Sequence, residues 1–261
     1  MAVYNGGPFL RRAVDSVLAQ EFDDFELIVV DDGSTDAAAD GLRSIADRRL
    51  RLVRRPHAGL TPSLNHALGL VRASLVARLD ADDVAAPQRL ARQYAFLEMH
   101  SDVGLLGTGA VEVDLEGRPV RTVVPPEDDA TIRRMLIRRN PLVHSSVMMR
   151  RSLVEDVGGY DERLPVAQDY DLWLRLVPLT RFANLPEPLV VRRLVPGRVS
   201  VTREDERLRG EMRARWRAVR RGTYPWWSAA FALRAAVALA VPRRFRERLR
   251  RGRGRSRVAC P

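Results

Sequence analysis

The sequence predicts an α/β protein, with a mostly parallel sheet flanked by helices and a helical, basic extension at its C-terminal end. Three observations predict it. Short apolar runs suited to strands buried on both faces alternate with longer segments whose apolar residues recur at helical spacing. Prolines stand where first helical turns belong, at Pro8, Pro62 and Pro87. Acidic clusters follow two of the strand-like runs directly, at 31–36 (DDGSTD) and 80–83 (DADD). In an open parallel sheet ligands sit beyond the carboxyl ends of the strands, so both clusters fall on the rim where a site is expected.

The elements follow in order. Residues 8–20 read as a helix and 25–30 (FELIVV) as a buried strand. Residues 32–36 carry turn chemistry, and a helix is expected from there to about Asp47. A strand at 50–53 precedes a helix over 61–73, with Thr61 as its cap and Pro62 in its first turn. Residues 74–79 (SLVARL) give the next strand and 86–100 the next helix. From about 103 the pattern changes. Residues 103–114 and 118–125 read as antiparallel strands, followed by a helix near 127–139, the segment 143–150 (VHSSVMMR) and a short helix. Residues 168–177 (QDYDLWLRLV) read as a helix and 188–194 as a late strand. A charged helix is expected over 203–222.

Composition divides the chain. The 261 residues, 46% hydrophobic, suffice for one large domain plus an appendage. The expected division is a catalytic domain over 1–200 and an extension over 201–261. Residues 1–200 hold 26 Arg against 28 acids, whereas 201–261 hold 18 Arg against 5. The net charge of +11 therefore belongs to the extension. All 44 basic residues are arginine, which suggests a GC-biased genome and weakens any reading of each arginine as chosen for a partner. The one cysteine, Cys260, permits no disulfide within the chain and fits a reducing compartment. The start MAVYNGGPF lacks the apolar run of a secretory signal. The apolar stretch 226–241 is interrupted by Arg234 and, at about 16 residues, falls short of the roughly 20 that span a bilayer.

Either acidic cluster alone reads as a solvated turn. Together they point to chemistry. Asp80, Asp82 and Asp83 repel one another and need a compensating cation. Hard carboxylate oxygens suit Mg2+ or Mn2+, which completes its shell with water and phosphate oxygens. A divalent ion bridging a diphosphate would neutralise charge building on a leaving phosphate. Asp32 can accept hydrogen bonds from a base N–H or a ribose hydroxyl.

The ordered motifs YNG (4–6), VVDDGSTD (29–36), RLDADD (78–83), NPLVHSSVMMRRS (140–152), GGYDE (158–162) and QDYDLWLRL (168–176) resemble glycosyltransferase family 2, over about residues 1–200. The resemblance implies a GT-A fold and an inverting, metal-dependent transferase that uses a nucleotide-diphosphate sugar, UDP by default. It implies nucleotide contacts from Tyr4, Asp31, Asp32 and Asp80. It implies metal ligation by Asp80 and Asp82, with Asp83, and His144 as a further candidate beside the diphosphate or metal. It implies Asp169 as the base that takes a proton from an acceptor hydroxyl. Gln168 stands where many relatives have Glu. Asp171 reads as structural, Trp173 and Leu174 as core, and His57 as a loop residue near the nucleotide. Gly158 and Gly159 serve backbone geometry.

The resemblance also implies a longer first strand than Met1-Ala2-Val3-Tyr4, so the true start is expected upstream, or the sequence is a fragment, with an exposed internal edge left in the sheet. Trp226, Trp227 and Phe231, followed by Arg243, Arg244, Arg246, Arg248, Arg250 and Arg251, fit peripheral contact with an anionic membrane through 226–257. That would suit an enzyme at the cytoplasmic face whose acceptor is a glycan or a lipid-linked glycan, in surface polysaccharide or glycolipid synthesis. No nucleic-acid module accompanies the charge, so no nucleic-acid partner is expected. Two rivals stand beside this reading. One is a sugar-nucleotide-binding protein with impaired catalysis. The other is a haloacid-dehalogenase-like phosphatase, because DADDV also fits a DxDx[TV] pattern, although the chain lacks the phosphate-binding lysine of that family.

Overall fold

The computed structural model describes residues 1–195 and 202–240. The expected arginine-rich tail, the 241–257 part of the expected membrane segment and Cys260 lie outside the described residues. Two sheets organise the chain. Strand β1 (Ala2–Val3), β2 (Leu27–Asp31) and β3 (Leu50–Arg54) form a parallel sheet in that order. Every residue of β2 is buried, as its unbroken apolar run requires when both faces are covered. Helix α1 (Leu10–Leu18) connects β1 to β2, and α2 (Leu60–Leu70) leads from β3 to the second sheet. Val3, Leu10, Val14, Leu27, Val29 and Leu42 make the core here.

The second sheet is mixed and six-stranded. Its order is β4 (Leu75–Ala77), β8 (Met148–Arg150), β6 (Val103–Val113), β9 (Arg181–Arg193) and β5 (Val84–Ala85), with β7 (Pro119–Val123) antiparallel on β6. β6 runs parallel to β9 and antiparallel to β8. Helices α3 (Arg89–Met99), α4 (Asp129–Leu136), α5 (Arg151–Asp156) and α6 (Gln168–Leu176) complete the body. The main core gathers on α6, where Tyr170, Leu172, Trp173 and Leu176 meet Leu105, Met149 and Phe182. Helix α7 (Glu204–Arg220) packs on α6, and α8 (Ala229–Ala240) packs on α7.

Several expected elements differ in detail. The helix expected up to Asp47 is only a short 3-10 turn, Asp40–Ser44. Gly41 lies within it, and Ile45 is already extended so that the chain can enter β3. Thr61 does not cap α2. It lies inside the helix and donates to the Leu164 carbonyl at 2.9 Å, while Gly59 at φ 100° makes the entry turn. The late strand begins at Arg181, because its first half pairs with β6 before the apolar stretch is reached.

Strand β1 is two residues long. It pairs only with Val30 and Asp31 at the end of β2. Beyond it the Met1 amino group donates to the Ile28 carbonyl at 2.9 Å. Burial first, then the nearby Arg78 charge, lowers that ammonium pKa to about 5. A cavity of about 650 Å3 adjoins it, walled by Glu26, Ile28, Leu75, Ala77, Leu79 and Met149 among others. It lies between the facing edges of β2 and β4.

Candidate active site

The DDGSTD turn is built by its own side chains. Asp31 is buried and accepts from the Ser34 N–H at 2.9 Å, closing the turn, with Arg54 3.5 Å away. Gly33 takes φ 75°, and a Cβ there would come within 2.8 Å of the His57 nitrogen. Asn5 of the YNG motif is left-handed at φ 53°, a conformation Asn tolerates. Its Oδ1 accepts from the Thr35 N–H at 2.8 Å and ties the two motifs together.

Asp32 is also buried, and loop 57–59 surrounds its carboxylate. Oδ1 accepts from Ser63 Oγ at 2.6 Å and the Ala58 N–H at 3.0 Å. Oδ2 accepts from the Gly59 N–H at 2.8 Å and lies 2.8 Å from His57 Nδ1. Asp31 and Asp32 thus shape the rim from beneath. What the rim exposes is Tyr4, 48% accessible, with its ring centroid 4.1 Å from that of His57. This aromatic pair can stack with a planar base.

The second cluster stands beyond β4. Asp80, Asp82 and Asp83 bring carboxylate oxygens within 4.8 Å of one another. Each is in a different electrostatic state. Burial alone would raise the Asp80 pKa, but the Arg78 guanidinium paired with it prevails and holds it at about 2. Ser145 Oγ also donates to Asp80, at 3.1 Å. Asp82 is raised by burial and by the Asp80 charge. Asp83 is pushed up to about 7 by burial, then by Asp80 and Asp82. One Asp83 oxygen accepts from the Arg193 N–H at 2.9 Å, and the other is buried with no hydrogen-bond partner. An orphaned buried carboxylate oxygen beside two further carboxylates fits a hard divalent cation such as Mg2+ or Mn2+.

His144 does not join that cluster. Its Nε2 lies 2.9 Å from the Tyr160 hydroxyl and its ring meets Trp173 edge-on. Burial and the Arg78 charge push its pKa well below the usual value, so the ring is neutral. Trp173 and Leu174 are buried in the core. Asp171 is buried in ion pairs with Arg175 at 2.7 Å and Arg217 at 3.0 Å.

Asp169 lies in the first turn of α6. The preceding Ala167 is left-handed at φ 64°, an uncommon conformation for a side-chain-bearing residue. Asn140 Nδ2 donates to Asp169 Oδ2 at 2.9 Å, and the Leu142 N–H donates to Asn140 Oδ1 at 3.1 Å, which fixes the amide orientation. Asp169 forms no ion pair with a described residue. Burial raises its pKa, against hydrogen bonding from the Tyr170 backbone. That is the direction a general base needs. Arg78 connects the two acidic centres, since its charge acts on Asp80, His144, Tyr160 and Asp169 alike. The 650 Å3 cavity touches this centre only at Arg78 and Tyr160 and includes none of Asp32, Asp82 and Asp169.

Sequence reasoning missed Arg78, Asn140, Ser145 and Tyr160. The signal for Arg78 was present: in extended chain, residues two apart share a face, so Arg78 and Asp80 meet. The other three act across 16 to 65 positions of sequence, which no local pattern encodes.

Strands ending in an acidic rim, with helices on the sheet and a further acid opening a late helix, match the GT-A architecture. A model of the family described as "Glycosyl transferase family 2" matches residues 1–158. The chain belongs to that family. It is 33% identical over 181 residues to the EpsE protein of Bacillus subtilis (strain 168), covering 67% of this chain and 64% of that one. The match thus spans just under two thirds of EpsE. It is 30% identical over 200 residues to the O-antigen biosynthesis glycosyltransferase WbnJ of Escherichia coli, covering 74% and 78%. In fold it is similar to the mannosyltransferase PcManGT from Pyrobaculum calidifontis, solved in complex with GDP-Man and Mn2+. The TM-score is 0.63 at 21% identity, over 97% of this chain and 78% of that one. Family membership leaves the phosphatase reading of DADDV without support.

Proposed function

We propose that the chain transfers a sugar from a nucleotide-diphosphate sugar to a hydroxyl of a glycan or lipid-linked acceptor, with inversion, in cell-surface polysaccharide or glycolipid synthesis. The observation that carries this reading is a division of labour among partly buried acids. Three carboxylates lie within 4.8 Å of one another, whereas Asp169 stands apart on α6 and forms no ion pair with a described residue. Asp80, Asp82 and Asp83 would hold Mg2+ or Mn2+, which supplies charge neutralisation at the diphosphate. PcManGT, with its bound Mn2+, supports that cofactor.

The remaining roles belong to the chain itself. Tyr4 and His57 stack on the base, and Asp31 and Asp32 hold the loops that place them. Asp169 accepts the proton of the acceptor hydroxyl, whose oxygen attacks the anomeric carbon opposite the departing diphosphate. Burial, by raising its pKa, makes the carboxylate a stronger base than a solvated Asp. Asn140 keeps it aimed. UDP is the default donor nucleotide from family resemblance, and GDP is the first alternative to try. WbnJ, by its name an O-antigen enzyme, supports a surface-polysaccharide role. We place the chain at the cytoplasmic face of the membrane as a peripheral protein, a reading that rests on its basic, tryptophan-bearing extension.

The test is nucleotide release from UDP-, GDP- and dTDP-sugars across an acceptor panel. Acceptor-dependent release that disappears in Asp169→Asn supports the reading. The same test separates one second reading, a sugar-nucleotide-binding protein with impaired turnover. Donor binding without release across the panel would establish that instead.

A further inference from the structure

We propose that the outward face of α8 is a docking surface for an anionic lipid bilayer. The inference goes beyond the catalytic reading and does not depend on it. A 3-10 turn, Trp226–Ser228, leads into α8. Ser228, Ala232 and Ala235 are buried along one side, where small residues let the helix lie close on α7. The other side carries Trp226, Leu233 and Val237 at helical spacing, 81%, 61% and 66% exposed, with Trp227 beside them. Scattered exposed apolar residues are ordinary, but a row of exposed apolar side chains with two tryptophans at one end and Arg234 among them marks an interaction surface.

Charge identifies the occupant. The segment 201–261 that contains the stripe holds 18 Arg against 5 acids. On α7, Arg209, Arg213 and Arg220 are exposed at helical spacing with the half-exposed Trp216 between them. None of the three forms an ion pair with a described residue. Apolar and aromatic side chains exposed on α8, with exposed arginines on α7 that form no ion pair with a described residue, match an interface with acyl chains below and anionic headgroups above. No described helix is long and apolar enough to cross a membrane, so contact through α8 would lie in the plane of the surface.

Position gives the surface a purpose. The Arg138 guanidinium lies 5.4 Å from the centroid of the Phe231 ring on α8. Arg215 of α7 donates to the Ile137 carbonyl at 3.0 Å. Two residues beyond Arg138, Asn140 holds Asp169. The docking surface therefore borders the segment that reaches the candidate base, and a bilayer against it would present a lipid-linked hydroxyl nearby.

The test is flotation of the full chain with vesicles of phosphatidylcholine alone or with about a third phosphatidylglycerol, at about 0.1 M salt. The chain is expected to float with the anionic vesicles and to stay behind with the neutral ones. Trp226→Ser combined with Leu233→Ser alters only exposed side chains and should lower the partition coefficient roughly tenfold or more. Val237→Asp should act in the same direction, and a thermal melt checks that both variants remain folded. Failure to float on anionic vesicles, or equal flotation of parent and variants, overturns the proposal. If the stripe instead covers a second copy of the chain, size-exclusion chromatography shows a dimer that the variants dissociate and that ignores vesicles, and the proposal falls. None of these readouts needs turnover, so failure here leaves the catalytic reading standing, and loss of that reading leaves this one standing.

Discussion

Asp80 and Asp169 are both aspartates with burial acting on them, yet their neighbours drive them in opposite directions. Arg78 holds Asp80 ionised at a pKa of about 2, whereas Asp169, which burial raises, pairs with no cation among the described residues. Arg78→Gln should therefore act most strongly near neutral pH. In the parent, the ion pair stabilises the fold above the usual Asp value of about 3.9, and that contribution is lost as pH falls toward about 2. In the variant, burial alone raises Asp80, so the deficit should shrink as pH drops from 7 to 4. The loss at pH 7 should be about 2 kcal/mol, below that of a fully buried pair, because the Asp80 side chain is 37% exposed. Urea unfolding with a chelator present reads this, and a deficit independent of pH would contradict it. Asp169→Asn should lower turnover by about 10²- to 10⁴-fold while leaving donor affinity unchanged. Asn140→Asp replaces a donor with a like charge, which disfavours ionisation of Asp169. The acidic limb of the kcat profile should move to higher pH, whereas a merely structural Asn140 would lower stability without moving that limb. The aspartates were legible in the sequence because each ends a strand or opens a helix. Their partners Asn140 and Tyr160 were not, because burial and cross-element contact decide their roles, whereas Arg78 stands two residues from Asp80 and could have been read.

Among the elements, α7 is what holds α6 in place. Asp171 of α6 is buried between Arg175 and Arg217, and Arg217 of α7 also reaches Asp161 at 3.0 Å. Removing one member leaves a buried charge uncompensated, so Asp171→Ala should destabilise the fold by about 3 kcal/mol, read by chemical unfolding. Gly210 brings α7 against the turn that precedes Asp169, and a Cβ there would sit 3.0 Å from the Val166 carbonyl oxygen and 3.3 Å from the Ala167 Cβ. Gly210→Val should cost about 1–3 kcal/mol and lower turnover as well, because the left-handed Ala167 sets the start of α6. Unchanged turnover in that variant would show that the turn tolerates displacement. The β–α order through residue 100 could be read from periodicity. The helix after DGSTD could not: its alanine-rich pattern is helical, but the short path back to β3 leaves room for one turn only. The pairing of β6 with β9 joins segments distant in sequence and is equally invisible to local patterns.

For the whole molecule, charge and chemistry are segregated. The acidic cluster of Asp80, Asp82 and Asp83 lies in the family-matched body, and the excess arginine lies in 201–261. That division was legible from composition alone, whereas the placement of α8 beside the 137–140 segment required the structure. A ligand that binds only the folded chain raises its melting temperature in proportion to affinity and concentration. The measurement that bears most directly on the account is therefore thermal stabilisation by UDP-, GDP- and dTDP-sugars, with Mg2+ or Mn2+ and with a chelator, in the parent and in Asp82→Asn. The account predicts that at least one donor raises the melting temperature with metal, and that the rise vanishes both with the chelator and in the variant. A rise that persists in both, or no rise with any donor, would contradict it.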